Sequence, residues 1–185
     1  ELRQSVANLY NNRTSDEVII TNGSAEANFL IVMSLLNPGD EPIVFVPNYL
    51  QMWGWAKALG VIVKEVQLRE ELGWQPDLAD LEEAVSDKTN NPTGSVLPEA
   101  EMKKLVAFAA DRDIYLHADE VYKGSELNGI ESPSFADLYD KAIDTAGLSK
   151  ALALPGLRIG WLVGPEEIIY KAWQRKDYTS ITTSA

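Results

Sequence analysis

From Val18 onward the chain alternates short apolar runs with stretches of helical periodicity, without an internal repeat or low-complexity segment. This rhythm narrows the choice of fold more than any other feature, because strands separated by helices close into an α/β sheet. "EVIITNG" reads as a strand ending in a turn, and "SAEANFLIVMSLLNPGD" as a helix closed by Asn37, Pro38 and Gly39. That helix is apolar almost all round, so it is expected to be buried. "PIVFVPNY" and "VIVKEVQL" are further strands, with the helix "LQMWGWAKALG" between them. "PDLADLEEAVSDK" reads as an exposed acidic helix and "LPEAEMKKLVAFAADRD" as an amphipathic one. The strand "IYLHADEVY" and the strand-like run "LRIGWLVGP" complete the pattern.

One junction breaks the rhythm. The helix ending near Val85 runs through "SDKT" into "NNPTG" with no apolar strand between. A loop at a sheet edge needs a strand to deliver it, so a short strand is expected to be missing between Thr89 and Asn90. The opening "ELRQSVANLY" reads as a helix already in progress, with Leu2, Val6, Leu9 and Tyr10 at helical spacing, so the chain is expected to be a piece of something longer.

Composition removes several function classes. The 185 residues, 45% hydrophobic and 24% charged, suit one globular domain with a real core. A net charge of -12 and a pI near 4.5 argue against a nucleic-acid binder or a basic membrane-surface protein. Any bound anion must be answered by local groups. Cysteine is absent and there is one histidine, which leaves no thiolate chemistry and disfavours a metal site. The longest apolar run, "FLIVMSLL", is far shorter than a membrane span, and no signal segment opens the chain, so a cytoplasmic protein is expected.

Several residues are candidates for chemistry. "TAGLSKALALPGLRIGW" reads as core, yet it holds two isolated cations, Lys150 and Arg158. A lysine among small residues suits Schiff-base chemistry, and equally a surface position at a helix start. Arg158 offers a fork of donors for a phosphate or carboxylate, or snorkels at a strand edge. Asp119 ends the strand "IYLHADEVY", where open α/β sheets place ligand-binding groups; a turn or helix-cap aspartate is the alternative. Tyr122 is a phenolic donor or a packing residue. "NNPTG" is a turn whose Asn91 amide could reach a ligand oxygen. "TNGSAE" sets Gly23, Ser24 and Ala25 at a strand-to-helix turn, an anion site in principle. His117 suggests no catalytic role and reads as a packed strand histidine.

Taken in order, "NGSAE", "PNY", "NNPTG", "ADEVY" and "GLSKALALPGLRIGW" resemble the class I and II aminotransferases, the fold-type I enzymes that use pyridoxal 5'-phosphate. The resemblance spans nearly the whole chain. It implies a three-layer sandwich with a mostly parallel sheet flanked by helices. Residues 1–185 would be the large cofactor-binding domain, incomplete, with the small domain built from both chain ends largely absent. It implies that Lys150 forms the internal aldimine and then shuttles the substrate proton, and that Asp119 keeps the pyridine nitrogen protonated. Asn91 and Tyr122 would bond the ring's phenolic oxygen, and Tyr49 would stack on the ring. Gly23, Ser24, Ala25, Ser149 and Arg158 would hold the phosphate. The family often has a serine or threonine where Gly147 stands.

The activity so implied is transfer of an amino group from an amino acid to a 2-oxo acid, with ping-pong kinetics, by a protein that in this family is usually a homodimer. A lyase or cyclase of the same fold shares every motif. A non-catalytic, cofactor-sensing domain of a transcription regulator is a further alternative, although neither a basic segment nor a helix-turn-helix is visible.

Overall fold

The structure is a computed structural model that describes residues 1–86, 97–126 and 129–183, together with the backbone of 89–93. Seven strands, β1 (Val18–Thr21), β2 (Glu41–Val46), β3 (Lys64–Gln67), β4 (Thr89–Thr93), β5 (Leu116–Asp119), β6 (Ala142–Gly147) and β7 (Gly160–Val163), form one sheet. Their order is β1-β7-β6-β5-β4-β2-β3. The pairs from β3 across to β6 are parallel, and β7 runs antiparallel to both β6 and β1. The sheet is therefore mostly parallel, as the resemblance implies.

Strand alternation sorts the helices into two layers. One face of the sheet carries Ile19, Ile143 and Leu162, which pack on Ala27, Leu30 and Ile31 of α2 (Ser24–Leu35) and on Ile168, Ile169 and Ala172 of α7 (Glu166–Lys176). Met52 of α3 (Gln51–Ala58) joins them. The other face carries Ile43, Phe45, Leu116, Ala118 and Ala142, covered by Leu81 of α4 (Leu78–Ala84), by Met102, Leu105 and Phe108 of α5 (Glu99–Asp111) and by Phe135 of α6 (Phe135–Leu138). At the β1–β7 end that same face is covered by Val6 and Ala7 of α1 (Leu2–Ala7), which pack with Trp161 and Val163. As its all-round apolar sequence requires, α2 is buried at Ala27, Asn28, Leu30, Ile31, Val32 and Ser34.

Two expectations need correction. The place of the strand expected between Thr89 and Asn90 is taken by Thr89–Thr93 itself, which pairs with β2 through Thr89 and Asn90 and with β5 through Asn91 to Thr93. Ladder hydrogen bonds come from the backbone, so polar side chains can occupy the position. The run Thr145–Trp161 is not continuous core: burial ends at Gly147, and Leu152, Leu154 and Leu157 are about half exposed in a turn before β7. Lys150 and Arg158 accordingly sit in an exposed loop and are not buried cations. Finally, α6, α7 and the strand "AIDTAG" were not legible; β6 holds alanine, glycine and a buried aspartate and is a strand because both neighbours pair with it. Among the described residues no helix is long and apolar enough to cross a membrane.

Candidate active site

A cavity of about 350 Å³ opens at the C-terminal ends of β2 and β5, beside the start of α2. Ends of parallel strands are where the backbone stops pairing and side chains converge on one crevice. Of the sequence-derived residues, Ser24, Ala25, Tyr49, Asp119, Tyr122 and Lys150 line it.

Gly23, Ser149 and Arg158 are not among its lining residues; they gather beside Ser24, where glycine contacts shape the start of α2. Gly23 caps α2 with φ 80, a conformation that costs other residues a steric clash, and a Cβ there would strike the Arg158 guanidinium. Gly160 of β7 lies so close that a Cβ would run into the Gly23–Ser24 peptide. Arg158 Nη1 donates to Ser149 Oγ (3.3 Å) and to the Pro155 carbonyl (3.0 Å). The first-turn amides of α2 have no intrahelical acceptor by helix geometry and point out of the helix end. Guanidinium, hydroxyl and helix N-terminus thus meet where only glycine leaves room, which is the donor set an oxyanion needs. A Cβ on Gly147 would lie 3.1 Å from the Ile159 carbonyl and 3.3 Å from Gly160 Cα, so the close packing of β6 on β7 explains the small residue.

Behind this turn stands Glu26. It accepts hydrogen bonds from the Asn22 amide (2.5 Å), Thr179 Oγ1 (2.6 Å), Ser180 Oγ (2.7 Å) and the buried Lys176 ammonium (3.1 Å). Burial pushes its carboxyl up, but these donors outweigh that and bring it down to about 2. The pair fastens the end of α7 to the α2 turn.

Asp119 stands at the end of β5 and lines the cavity. Alternation along β5 turns His117 and Asp119 toward α2, and Leu116 and Ala118 toward α5. The Asp119 carboxylate accepts from Asn28 Nδ2 (2.9 Å) and from the Val121 amide (3.2 Å), and the Thr145 hydroxyl also favours its charged form. Burial still leaves its pKa raised, against the lowering effect of these groups. Behind it His117, 3% exposed, faces Thr145 Oγ1 at 3.3 Å, and burial drives its pKa down to about 3, so the ring is neutral. This is the packed strand histidine read from the sequence.

Lys150, Tyr122 and Tyr49 line the same cavity. Lys150 Nζ is 5.8 Å from the centre of the Tyr122 ring, and Tyr49 and Tyr122 are more than half exposed at the mouth. The side chain of Asn91 lies outside the described residues. Its backbone is paired with Leu116, three residues before Asp119, which is about 10 Å back along the strand direction.

Sequence reasoning missed Asn28, Gln51, Thr145 and Glu120. Asn28 had a signal, being a polar residue inside an apolar helix four positions after Ser24 and thus on its face. Glu120 turns to the far side, where it accepts from Ser134 Oγ (2.6 Å) and the Phe135 amide (3.0 Å) and so holds the 132–135 wall of the cavity. The neighbouring Asp144 accepts from the Ala136 amide (2.8 Å), and burial beside Glu120 raises its carboxyl far above the usual range.

Comparison with known proteins matches residues 1–185 to the family model "Aminotransferase class I and II". Aspartate/prephenate aminotransferase of Thermus thermophilus is 31% identical over 182 residues, covering 91% of this chain and 47% of that protein. The probable aspartate/prephenate aminotransferase of Aquifex aeolicus is 30% identical, with 204 aligned positions covering 100% of this chain's 185 residues and 52% of the relative, which therefore has extra residues within the matched span. Among solved structures, a PLP-dependent aminotransferase from Streptococcus suis superposes with a TM-score of 0.91 at 33% identity, over 98% of this chain and 50% of that one. The chain thus spans about half the length of its relatives. With every residue inside the family model and the fold superposing throughout, this chain belongs to the class I and II aminotransferase family.

Proposed function

We propose that the cavity holds pyridoxal 5'-phosphate and that the protein moves an amino group from an amino acid to a 2-oxo acid. One observation carries the reading: an amine, Lys150, and a supported carboxylate, Asp119, line one cavity together with Ser24 and Ala25, the start of α2 that adjoins the Gly23–Arg158 contact. The residues fit the group, since its phosphate, ring nitrogen and aldehyde each have a chemically matched partner. When bound, the cofactor supplies an aldehyde for covalent attachment and a ring that accepts an electron pair.

The rest is the work of this chain. Arg158, Ser149 and the α2 amides of Ser24 and Ala25 hold the phosphate beside Gly23, where the helix dipole favours negative charge. Asp119, whose burial raises its pKa while its hydrogen-bond donors favour the charged form, holds a proton on the ring nitrogen. Lys150 Nζ is the attachment point and, once freed by the substrate amine, the base that takes the α-proton and returns it elsewhere. Tyr122 donates to the phenolic oxygen, Tyr49 covers the ring at the mouth, and Asn91 is assigned to the phenolic oxygen by its motif alone.

Residues 1–185 are read as the large cofactor-binding domain. A homodimer in the cytoplasm belongs to the same reading; the exposed Tyr49 at the cavity and the exposed Leu50, Leu152, Leu154 and Leu157 support a subunit contact.

The test is to add pyridoxal phosphate, reduce with borohydride and locate the adduct by mass spectrometry. Attachment at Lys150 is expected; no adduct, or one elsewhere, overturns the assignment. Amino donors are then screened with 2-oxo acids, and release of ammonia or carbon dioxide without pyridoxamine phosphate would replace transamination by lyase chemistry.

A further inference from the structure

We propose that Asn28 and Gln51 are positioning residues that tie the Asp119 carboxylate to the α2 turn, fixing the spacing between the two ends of the cavity. The inference rests on the cofactor reading above, since that spacing is the one a ligand held at both ends must match. The chain of contacts is continuous. Gln51 Nε2 donates to the Ala25 carbonyl (2.9 Å), Asn28 Nδ2 donates to Gln51 Oε1 (3.3 Å), and the same Nδ2 donates to Asp119 Oδ2 (2.9 Å). Three elements, α2, α3 and β5, are thus joined through one amide.

Asn28 is 1% exposed, and its Oδ1 has no hydrogen-bond partner among the described residues. An orphaned buried oxygen is a cost that an apolar side chain of the same size avoids. Packing alone therefore does not account for an asparagine here. What the amide adds is a pair of donors, one for each of two acceptors on different elements. A donor toward Asp119 favours its ionised form, against the burial that favours the neutral one.

Few other groups compete for that role. Lys150 and Tyr122 line the same cavity as Asp119, and neutral His117 lies two residues before it on β5, with Thr145 beside it. Glu120, next in the chain, is engaged with Ser134 and Phe135 on the far side. From α2 and α3, Asn28 is the residue that donates to the carboxylate among the described residues.

The experiment compares the wild type with Asn28→Leu, Asn28→Ser and Gln51→Leu. In the cofactor-free protein, carbon-13 labelled aspartate reports the Asp119 titration. In the loaded protein, equilibrium dialysis gives the cofactor dissociation constant. Loss of a hydrogen bond to a charged group is expected to raise both the proton affinity of Asp119 and the dissociation constant in Asn28→Leu on the order of tenfold. Asn28→Ser, which keeps one donor, should recover part of both. Gln51→Leu removes only the anchor from a half-buried site and should shift both in the same direction by less. Folded Asn28→Leu with wild-type titration and affinity overturns the proposal. Should that variant fail to fold, Gln51→Leu with both values unchanged overturns it instead. A wild type that takes no cofactor onto Lys150 refutes the cofactor reading, and the Asp119 titration then decides the positioning role by itself.

Discussion

Replacing Glu26 by glutamine removes the charge opposite Lys176 and keeps the side chain's shape. The Lys176 side chain is 2% exposed and its Nζ lies 3.1 Å from Glu26 Oε2 and 2.7 Å from Ser180 Oγ. Breaking a buried pair from one side leaves a desolvated charge and costs about 3–5 kcal/mol. The carboxyl itself gives an independent figure. Its pKa moves from 4.5 to about 2, and at 1.36 kcal/mol per unit, discounted for water at the helix end, this is about 2 kcal/mol. Because the folded value is the lower one, that stability is present above pH 4.5 and is lost as the pH falls toward 2. Urea denaturation at pH 7 should show Glu26→Gln destabilised by about 3 kcal/mol or more, with Tm lower by roughly 6–12 °C for a chain of this size. Glu26→Gln combined with Lys176→Met should recover most of that loss, since an apolar replacement removes the orphaned charge. The single variant should also lose the acid dependence between pH 4.5 and 2. A cost of Glu26→Gln below about 1 kcal/mol, or a double variant whose cost is the sum of the singles, would refute the reasoning.

Gly160→Ala places a methyl group in the Gly23–Ser24 peptide; overpacking against that backbone should cost about 1–3 kcal/mol in thermal unfolding, at the upper end. Wild-type stability would mean that β7 and the turn can separate freely. Arg158→Leu removes a charged donor from the cradle while leaving an exposed loop, so cofactor affinity should fall roughly tenfold to a hundredfold with little change in Tm. Inorganic phosphate should compete with the cofactor in the wild type and weakly in the variant. His117 is neutral in the fold, and its pKa of about 3 against the usual 6.5 means that the unfolded chain binds the proton first as the pH falls. Stability is therefore lost progressively from pH 6.5 toward 3, by up to roughly 5 kcal/mol, and His117→Gln should flatten that limb in acid titrations followed by circular dichroism.

The alternation of apolar runs with helical periods determined the α/β class, the burial of α2 and the order in which the motifs arrive, because period and turn chemistry are local properties of the chain. The ordered motifs also determined Lys150, Asp119, Tyr122, Gly23, Ser24, Ala25, Tyr49, Ser149 and Arg158 as candidates, since each is a reactive or donor group beside a strand end or turn. Local pattern could not reveal β6, whose alanines, glycine and Asp144 favour no strand and become one only between β5 and β7. Nor could it reveal that Lys150 and Arg158 stand in an exposed loop, because apolar leucines there look the same in sequence whether they face a core or the outside. The contacts of Asn28, Gln51 and Thr145 with one another's neighbours span up to 91 residues of chain, as between Asn28 and Asp119. Such a bond depends on which faces of α2 and β5 meet across the sheet, and only the tertiary packing decides that.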